Sequence, residues 1–345
     1  MNAPLLEARM LTKHFPVRKG NLSPITGQVH AVDGVNFSIG EGETLGLVGE
    51  SGCGKSTTGK LVLRLIDPTS GSVHWLGERI DQLHDAGMRP YRRALQAVFQ
   101  DPYSSLNPRM RAADIVAEPI RNFETLPARD VHERVATLFD RVGLRVDQMV
   151  KYPYEFSGGQ RQRLGIARAL APRPKLIVCD EPVSALDVSV QAQVINLLMA
   201  LQEELGLSFL FIAHDLAVVE HISQRVAVMY MGRIVELTDR RSLFTNAQHP
   251  YTEALLSAVP VPDPQVQRKH IILPGEVPST IFPPSGCRFH TRCPYAIEVC
   301  RVEVPAMQET LPGHHVACHL RPGPVSGPVT PGLNPQASRA NPLPS

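Results

Sequence analysis

The sequence predicts an α/β fold in which a parallel sheet is covered on both faces by helices. Two observations carry the prediction. Short apolar runs recur along the chain, "TLGLV", "ALQAVF", "KLIVCDEP" and "SFLFIAHD", each short enough for a buried parallel strand. Between them lie stretches of helical period. "RDVHERVATLFDRVGL" puts Val131, Val135, Leu138, Phe139 and Val142 on one face, and "SVQAQVINLLMALQEELG" does so with Val190, Val194, Leu197, Leu201 and Leu205. Strands that alternate with helices build a parallel sheet with helices on both sides.

At 345 residues the chain can bury one large core and carry a smaller appended unit. Its 43% hydrophobic and 20% charged residues are those of a globular protein rather than a disordered one. The net charge of +2 argues neither for nor against nucleic acid, no dense Lys/Arg run stands out, and no nucleic-acid partner is expected. The N-terminal stretch carries Glu7 and no long apolar core, so no signal peptide is expected. No run reaches the length of a membrane-spanning helix. A cytosolic setting is therefore expected, where structural disulfides are rare.

In chain order, "LLEARMLT" and "HAVDGVNFSI" read as strands separated by the turn-rich "RKGNLSPITGQ". "TLGLV" follows, then a helix in "KSTTGKLVLRLI". "RVAVMYMGRIVEL" reads as a hairpin closing the core, and "HPYTEALLSAV" as a helix. Residues 260–286 hold seven prolines in 27 positions, the composition of an extended connector that packs little by itself. A cysteine-rich unit spans 287–321, and 322–345, with seven prolines in 24 residues, reads as a disordered tail. No internal repeat is present.

"GESGCGKST" lies between the strand "TLGLV" and the helix after it and satisfies G-x-x-x-x-G-K-[ST] with Gly49, Gly54, Lys55 and Ser56. In such a P-loop the backbone N–H groups of Gly49, Glu50, Ser51, Gly52, Cys53, Gly54, Lys55, Ser56 and Thr57 cradle phosphates at a helix N-terminus. Lys55 reaches the β- and γ-phosphates, and the Ser56 hydroxyl holds Mg²⁺. Cys53 reads as a small side chain that fits the turn. After the run "LIVC" come Asp180, placed to hold Mg²⁺ through water, and Glu181, placed to deprotonate a water attacking the γ-phosphate. In "FSGGQRQRLGIARAL", Ser157, Gly158 and Gly159 open a helix starting near Gln160, a second terminus suited to an anion.

With these parts in this order the chain resembles an ATP-binding cassette subunit over about residues 5–259. The resemblance implies a P-loop NTPase core with an antiparallel β subdomain, an α-helical subdomain at about 101–165, and a cassette occupying 1–259. It implies that Ser157, Gly158, Gly159 and Gln160 cap the γ-phosphate of ATP held by a partner protomer. Gln100 in "AVFQDP" would ligate Mg²⁺, Asp187 in "SALD" would cross the dimer seam, and His214 in "FIAHD" would contact the γ-phosphate. Phe15 in "LTKHF" is the candidate that stacks on adenine.

Two function classes compete, a membrane transporter's motor and a soluble cassette ATPase of repair or iron–sulfur assembly. The single cassette, and only 56 residues between Gln100 and Ser157, favour the transporter. "SSLNPRM" and the ending "YMGRIVELTDRRSLFTNAQHPYTEALLSAVPVPDP" with "GCRFHTRCPYAIEVC" resemble the oligopeptide/dipeptide importer branch, with related nickel importers as the alternative. The branch implies a second, different ATPase chain, two permease subunits, a substrate-binding protein, and a peripheral place on the cytoplasmic face of the inner membrane.

Cys287, Cys293, Cys300 and Cys318 follow the pattern C-x₅-C-x₆-C-x₁₇-C. In a cytosolic chain such a cluster suggests a metal site. Structural zinc favours C-x₂₋₄-C knuckles, which are missing, and four thiolates also suit a [4Fe–4S] cluster. Zinc and unliganded thiols stay open on the residues alone; the resemblance implies the cluster. His290, His314, His315 and His319 are expected on the surface near the site, and only as substitutes among its ligands.

Overall fold

The computed structural model describes residues 3–18, 25–259, 271–321 and 323. In chain order the strands and helices are β1 (Leu6–Arg18), β2 (Ile25–Ile39), β3 (Thr44–Val48), α1 (Lys55–Val62), β4 (Ser70–Trp75), β5 (Glu78–Arg79), α2 (Asp85–Ala94), β6 (Leu95–Val98), α3 (Pro102–Ser105), α4 (Ala112–Phe123), α5 (Ala128–Arg141), α6 (Gly158–Leu170), β7 (Leu176–Asp180), α7 (Val188–Leu205), β8 (Ser208–Ile212), α8 (Leu216–Ile222), β9 (Arg225–Tyr230), β10 (Arg233–Asp239), α9 (Arg240–Thr245), α10 (Pro250–Ser257), α11 (Val299–Val302), β11 (Gln308–Leu311) and β12 (His314–Val316).

They form two sheets. The larger has the order β11-β12-β10-β9-β3-β8-β7-β6, and the smaller, β2-β1-β4-β5, is antiparallel. Strands β9, β3, β8, β7 and β6 run parallel, and β10, β12 and β11 add antiparallel at one edge. The unbroken apolar run of β8 follows from burial on both faces. Phe209 and Phe211 enter the core beneath the helices α4 to α8, while Leu210 and Ile212 enter the core shared with the small sheet.

Four local expectations are corrected. The turn-rich gap after "LLEARMLT" is largely strand: β1 runs on to Arg18 and pairs with β2 through Phe15–Val29 and Arg18–Ile25, satisfying both backbones. Helix α6 begins at Gly158 rather than near Gln160, because Ser157 closes a capping box with Gln160. On α7 the buried stripe is Val194, Ile195, Leu198 and Leu201, while Leu205 is exposed in the last turn. The described part of the connector, 271–286, packs on the protein: the Thr280 carbonyl accepts from the His30 N–H at 3.0 Å, and Ile281 covers Gly27. The tail assigned to 322–345 and the connector's residues 260–270 lie outside the described residues, Gly323 apart.

Nor does the cysteine-rich segment stand by itself. Its hairpin β11–β12 extends the large sheet through Glu236–Val316 and Leu237–His315. Phe289 is 1% exposed, with its ring centroid 5.2 Å from Tyr230 and 5.4 Å from Tyr251. Burying such a ring contributes roughly 1.5–3 kcal/mol. Glu236, fully buried on β10, accepts from the backbone N–H groups of Gln248 and His249 and pairs with His314 Nε2 at 2.6 Å. Burial works to raise the Glu236 carboxyl pKa, but these partners hold it below the usual range.

Candidate nucleotide site and cysteine cluster

The phosphate loop joins two buried elements, β3 and α1, and its glycines are dictated by close approach. At Gly49 (φ 151°) a Cβ would lie 2.1 Å from the Met229 carbonyl oxygen, and at Gly54 (φ 109°) 2.1 Å from that of Ala31. Gly54 is the N-cap of α1, with no side-chain cap and no acidic residue in the first turn. By contrast α6, α7, α8 and α9 are capped by Ser157, Asp187, Asp215 and Asp239. Since α2, α4 and α5 also lack a side-chain cap, it is the glycine loop leading into α1 that suits its first N–H groups to an anion.

Lys55 Nζ folds back onto its own loop, donating to the carbonyls of Gly49 at 2.8 Å and Glu50 at 3.0 Å. Cys53, 5% exposed, is buried in the core, and burial raises its thiol pKa, in keeping with a packing role. The Ser56 hydroxyl donates to Asp180 Oδ1 at 2.7 Å across 124 residues of sequence. Burial pushes the Asp180 carboxyl up and Glu181 adds to that, while the Ser56 hydrogen bond opposes it; a divalent cation would favour the charged form.

Glu181 stands at the end of β7 in left-handed backbone (φ 47°), its N–H donating to the Ile212 carbonyl at 2.9 Å. Its Oε2 accepts from Gln100 Nε2 at 3.0 Å and lies 3.3 Å from His214 Nδ1. Six expected residues, Lys55, Ser56, Gln100, Asp180, Glu181 and His214, thereby converge from four separate stretches of chain. A strained carboxylate held by two polar side chains beside an anion cradle can take a proton from water.

The remaining nucleotide residues stand apart from this group. Ser157 Oγ and the Gln160 side chain bond each other's backbone at 3.3 and 3.0 Å, and Asp187 caps α7 through the Val190 N–H at 3.0 Å. Gly158 and Gly159 face Leu186 and Val190 closely, so the start of α6 and the Asp187 loop form one surface. Among the described residues neither Ser157 nor Asp187 is hydrogen-bonded to the phosphate loop. Phe15 is 37% exposed on β1, with Lys13 Nζ 5.1 Å above its ring, and presents a free aromatic face.

The four C-terminal cysteines converge as free thiols. Cys287 N–H donates to the Cys300 carbonyl at 2.8 Å. Burial pushes the Cys287 thiol up to about 11, with its three fellow cysteines close enough to add to the shift. The thiols of Cys293 and Cys318 are also raised, by burial first. Among the described residues no three of these sulfurs lie within 4.8 Å of one another. One tetrahedral zinc would bring them to roughly 3.8 Å, given its bond lengths. Buried thiols need a cation to ionise. His319 Nε2 meets the Glu303 carbonyl, and His290 Nδ1 the Cys287 carbonyl, so these two face backbone oxygens.

Within 4.8 Å the structure does gather His14, His30 and Asp33. Asp33 is already paired with Arg233 and Arg288, and two guanidiniums beside it oppose a cation. The sequence reading missed Glu50's partners, Tyr251 and Arg292. The Glu50 N–H donates to the Tyr251 hydroxyl at 2.8 Å, and its carboxylate takes two hydrogen bonds from Arg292 at 2.8 and 3.2 Å. Separations of 201 and 242 residues leave no local signal for either.

Comparison with known proteins identifies the family. The ABC transporter family profile matches residues 32–184, and the profile of the oligopeptide/dipeptide transporter C-terminal region matches 235–300. The probable peptide ABC transporter ATP-binding protein y4tS of Sinorhizobium fredii is 55% identical over 331 residues, 96% of this chain and 94% of its own. The oligopeptide transport ATP-binding proteins AppF of Bacillus subtilis and OppF of Salmonella typhimurium are 53% and 52% identical, over 92% and 91% of this chain and 97% and 95% of theirs. Among solved structures, cbiO1 of Clostridium perfringens matches with a TM-score of 0.61 at 28% identity, covering 71% of this chain and 92% of its own. The cassette MJ0796, solved as a dimer with ADP and Pi, also matches at 0.61 and 28%, covering 68% and 99%. With more than half of its residues shared along nearly its whole length, the chain belongs to the ATP-binding, ATP-hydrolysing subunits of ABC transporters, in the group that carries the oligopeptide/dipeptide transporter C-terminal region.

Proposed function

We propose that this chain is the motor of a bacterial peptide importer, hydrolysing ATP to drive uptake of di- or oligopeptides through separate permease subunits. The observation that carries the reading is Glu181, held between Gln100 and His214 beside the Ser56–Asp180 pair. Lys55 exchanges its two loop carbonyls for β- and γ-phosphate oxygens. Gly49, Glu50, Ser51, Gly52, Cys53, Gly54, Ser56 and Thr57 supply the backbone of the cradle. Ser56, Gln100 and Asp180 are the residues that would hold Mg²⁺, which neutralises charge on the phosphates. Glu181 accepts the proton of the attacking water, His214 contacts the γ-phosphate, and Phe15 stacks on adenine.

Ser157 to Gln160 and Asp187 point to a site completed in trans, so the working unit holds a second ATPase subunit, a paralogue of this one. Two permeases and a substrate-binding protein complete the importer, which places this chain on the cytoplasmic face of the inner membrane. No helix among the described residues is long and apolar enough to cross a membrane. Peptide as cargo is supported by the names of the similar proteins and by the C-terminal region they share. Cys287, Cys293, Cys300 and Cys318 would hold a [4Fe–4S] cluster, supported by their four-thiolate donor set and by the lack of short C-x₂₋₄-C knuckles. The same reading divides the chain into a cassette over 1–259, a connector over 260–286, a Cys₄ unit over 287–321 and a tail over 322–345.

Uptake of labelled di- and oligopeptides by cells carrying Glu181→Gln in this chain tests the reading. Loss of peptide uptake is expected. Unchanged peptide uptake together with lost nickel uptake would reassign the cargo.

A further inference from the structure

A glutamate in a phosphate-binding loop is a physical anomaly, because its charge repels the ligand. Glu50 is held on three sides. Its N–H donates to Tyr251, its carbonyl accepts from Lys55, and its carboxylate is gripped through two nitrogens by Arg292. The Arg292 side chain is only 9% exposed, and the residue directly precedes Cys293. A second arginine, Arg288, directly follows Cys287 and donates to the Asp33 carboxylate and the Met231 carbonyl. The next residue in that turn, Gly232, donates its N–H to the phosphate loop's Cys53 carbonyl at 2.8 Å. Phe289, between the two arginines, packs on Tyr251, the residue that holds the Glu50 N–H. Three side chains within five residues of the cysteine-rich segment thus bear on the phosphate loop or on its immediate supports.

We propose that Arg292 is a positioning residue for nucleotide binding, which neutralises Glu50 and fixes the phosphate loop from the cysteine-rich segment. The inference rests on ATP binding at this loop. Removing Arg292 leaves an unpaired carboxylate facing a polyanion, which sets the sign: affinity falls. The fork geometry sets the specificity, since a lysine supplies charge without two parallel bonds.

The test is calorimetric titration of Mg·ATP into the full chain carrying Arg292→Ala, Arg292→Lys, Glu50→Gln or Glu50→Gln with Arg292→Ala. Arg292→Ala should weaken binding about tenfold, the scale of a broken charged pair, and Arg292→Lys should fall in between. Glu50→Gln alone sets the reference for the double variant, since it removes the carboxylate and keeps Arg292. The double variant should recover most of the loss, because no unpaired carboxylate remains. A merely structural role for Arg292 gives no such rescue, so a double variant as weak as Arg292→Ala overturns the proposal, as does an Arg292→Ala that binds like wild type. A wild-type chain that fails to bind Mg·ATP overturns the nucleotide-site reading itself, and this inference with it.

Discussion

The nucleotide core and the cysteine-rich end hold themselves together by different means. Strands β3 and β8 are buried at every residue, and their stability comes from apolar area on both faces. The segment 287–321 leaves Tyr295, Ile297, Val302 and Val304 between 45% and 68% exposed. It is held by a few bolts instead: Phe289 among the tyrosines, Arg288 on Asp33, Arg292 on Glu50, and His314 on Glu236. A distributed core tolerates the loss of one contact, whereas a bolted segment depends on each of a few. Damage to the nucleotide chemistry should therefore leave the C-terminal segment docked, and damage to the bolts should spread to the phosphate loop.

The comparison can be broken first at its strongest point. Lys55→Ala should abolish Mg·ATP binding while leaving the 287–321 segment as resistant to protease as in wild type; retained affinity would remove Lys55 from the cradle. Glu181→Gln should keep ATP binding and slow hydrolysis by about 10²–10⁴-fold, the usual worth of a general base. It is read by phosphate release from the assembled transporter, where an undiminished rate would show that another group takes the proton.

Phe289→Ala should cost about 3–5 kcal/mol of docking stability, the usual penalty for emptying a buried aromatic site. Hydrogen exchange should rise in β11, β12 and α10 but not in β3, β7 or β8. Uniform acceleration in both regions would mean that the core and the segment unfold as one unit.

Acid should act on the same boundary. Burial lowers the pKa of His249 to about 4 from its ordinary 6.5, so the folded form excludes a proton that the unfolded chain accepts. Stability from His249 is thus complete above about 6.5 and is lost as pH falls to about 4. Glu236, depressed by its partners, loses its contribution only below the usual carboxylate value of 4.5. Loosening of α10 and β12 should begin below pH 6.5, and His249→Asn, which keeps a side-chain cap, should flatten that slope. An unchanged pH profile in the variant would assign the effect elsewhere.

The smallest effect belongs to the exposed α5 pair Arg129–Glu133, where Arg129→Ala should shift stability by less than about 0.5 kcal/mol. A larger shift would place this face against a partner.

What the sequence determined by itself is the family and the elements that carry the candidate nucleotide residues. Lys55 with Ser56, the Asp180–Glu181 pair, Ser157 to Gln160, Asp187 and His214 each sit in a short motif at the end of a strand or the start of a helix. There local rules place the chain: an apolar run buries a strand, a glycine admits a close carbonyl, and a serine or aspartate caps a helix. The buried stripe of α5 was legible for the same reason, and that of α7 in part: Val194 and Leu201 are buried and Val190 and Leu197 pack against the core, while Ile195 and Leu198 widen the covered face and Leu205 falls outside it. Tertiary structure alone decided that β12 joins the core sheet, that Phe289 fills a pocket between two tyrosines, and that Glu50 is answered by Arg292. Those contacts join residues up to 242 positions apart. Their energy comes from desolvated pairing and ring burial, which depend on where a folded surface brings groups together and leave no mark on the spacing of either partner.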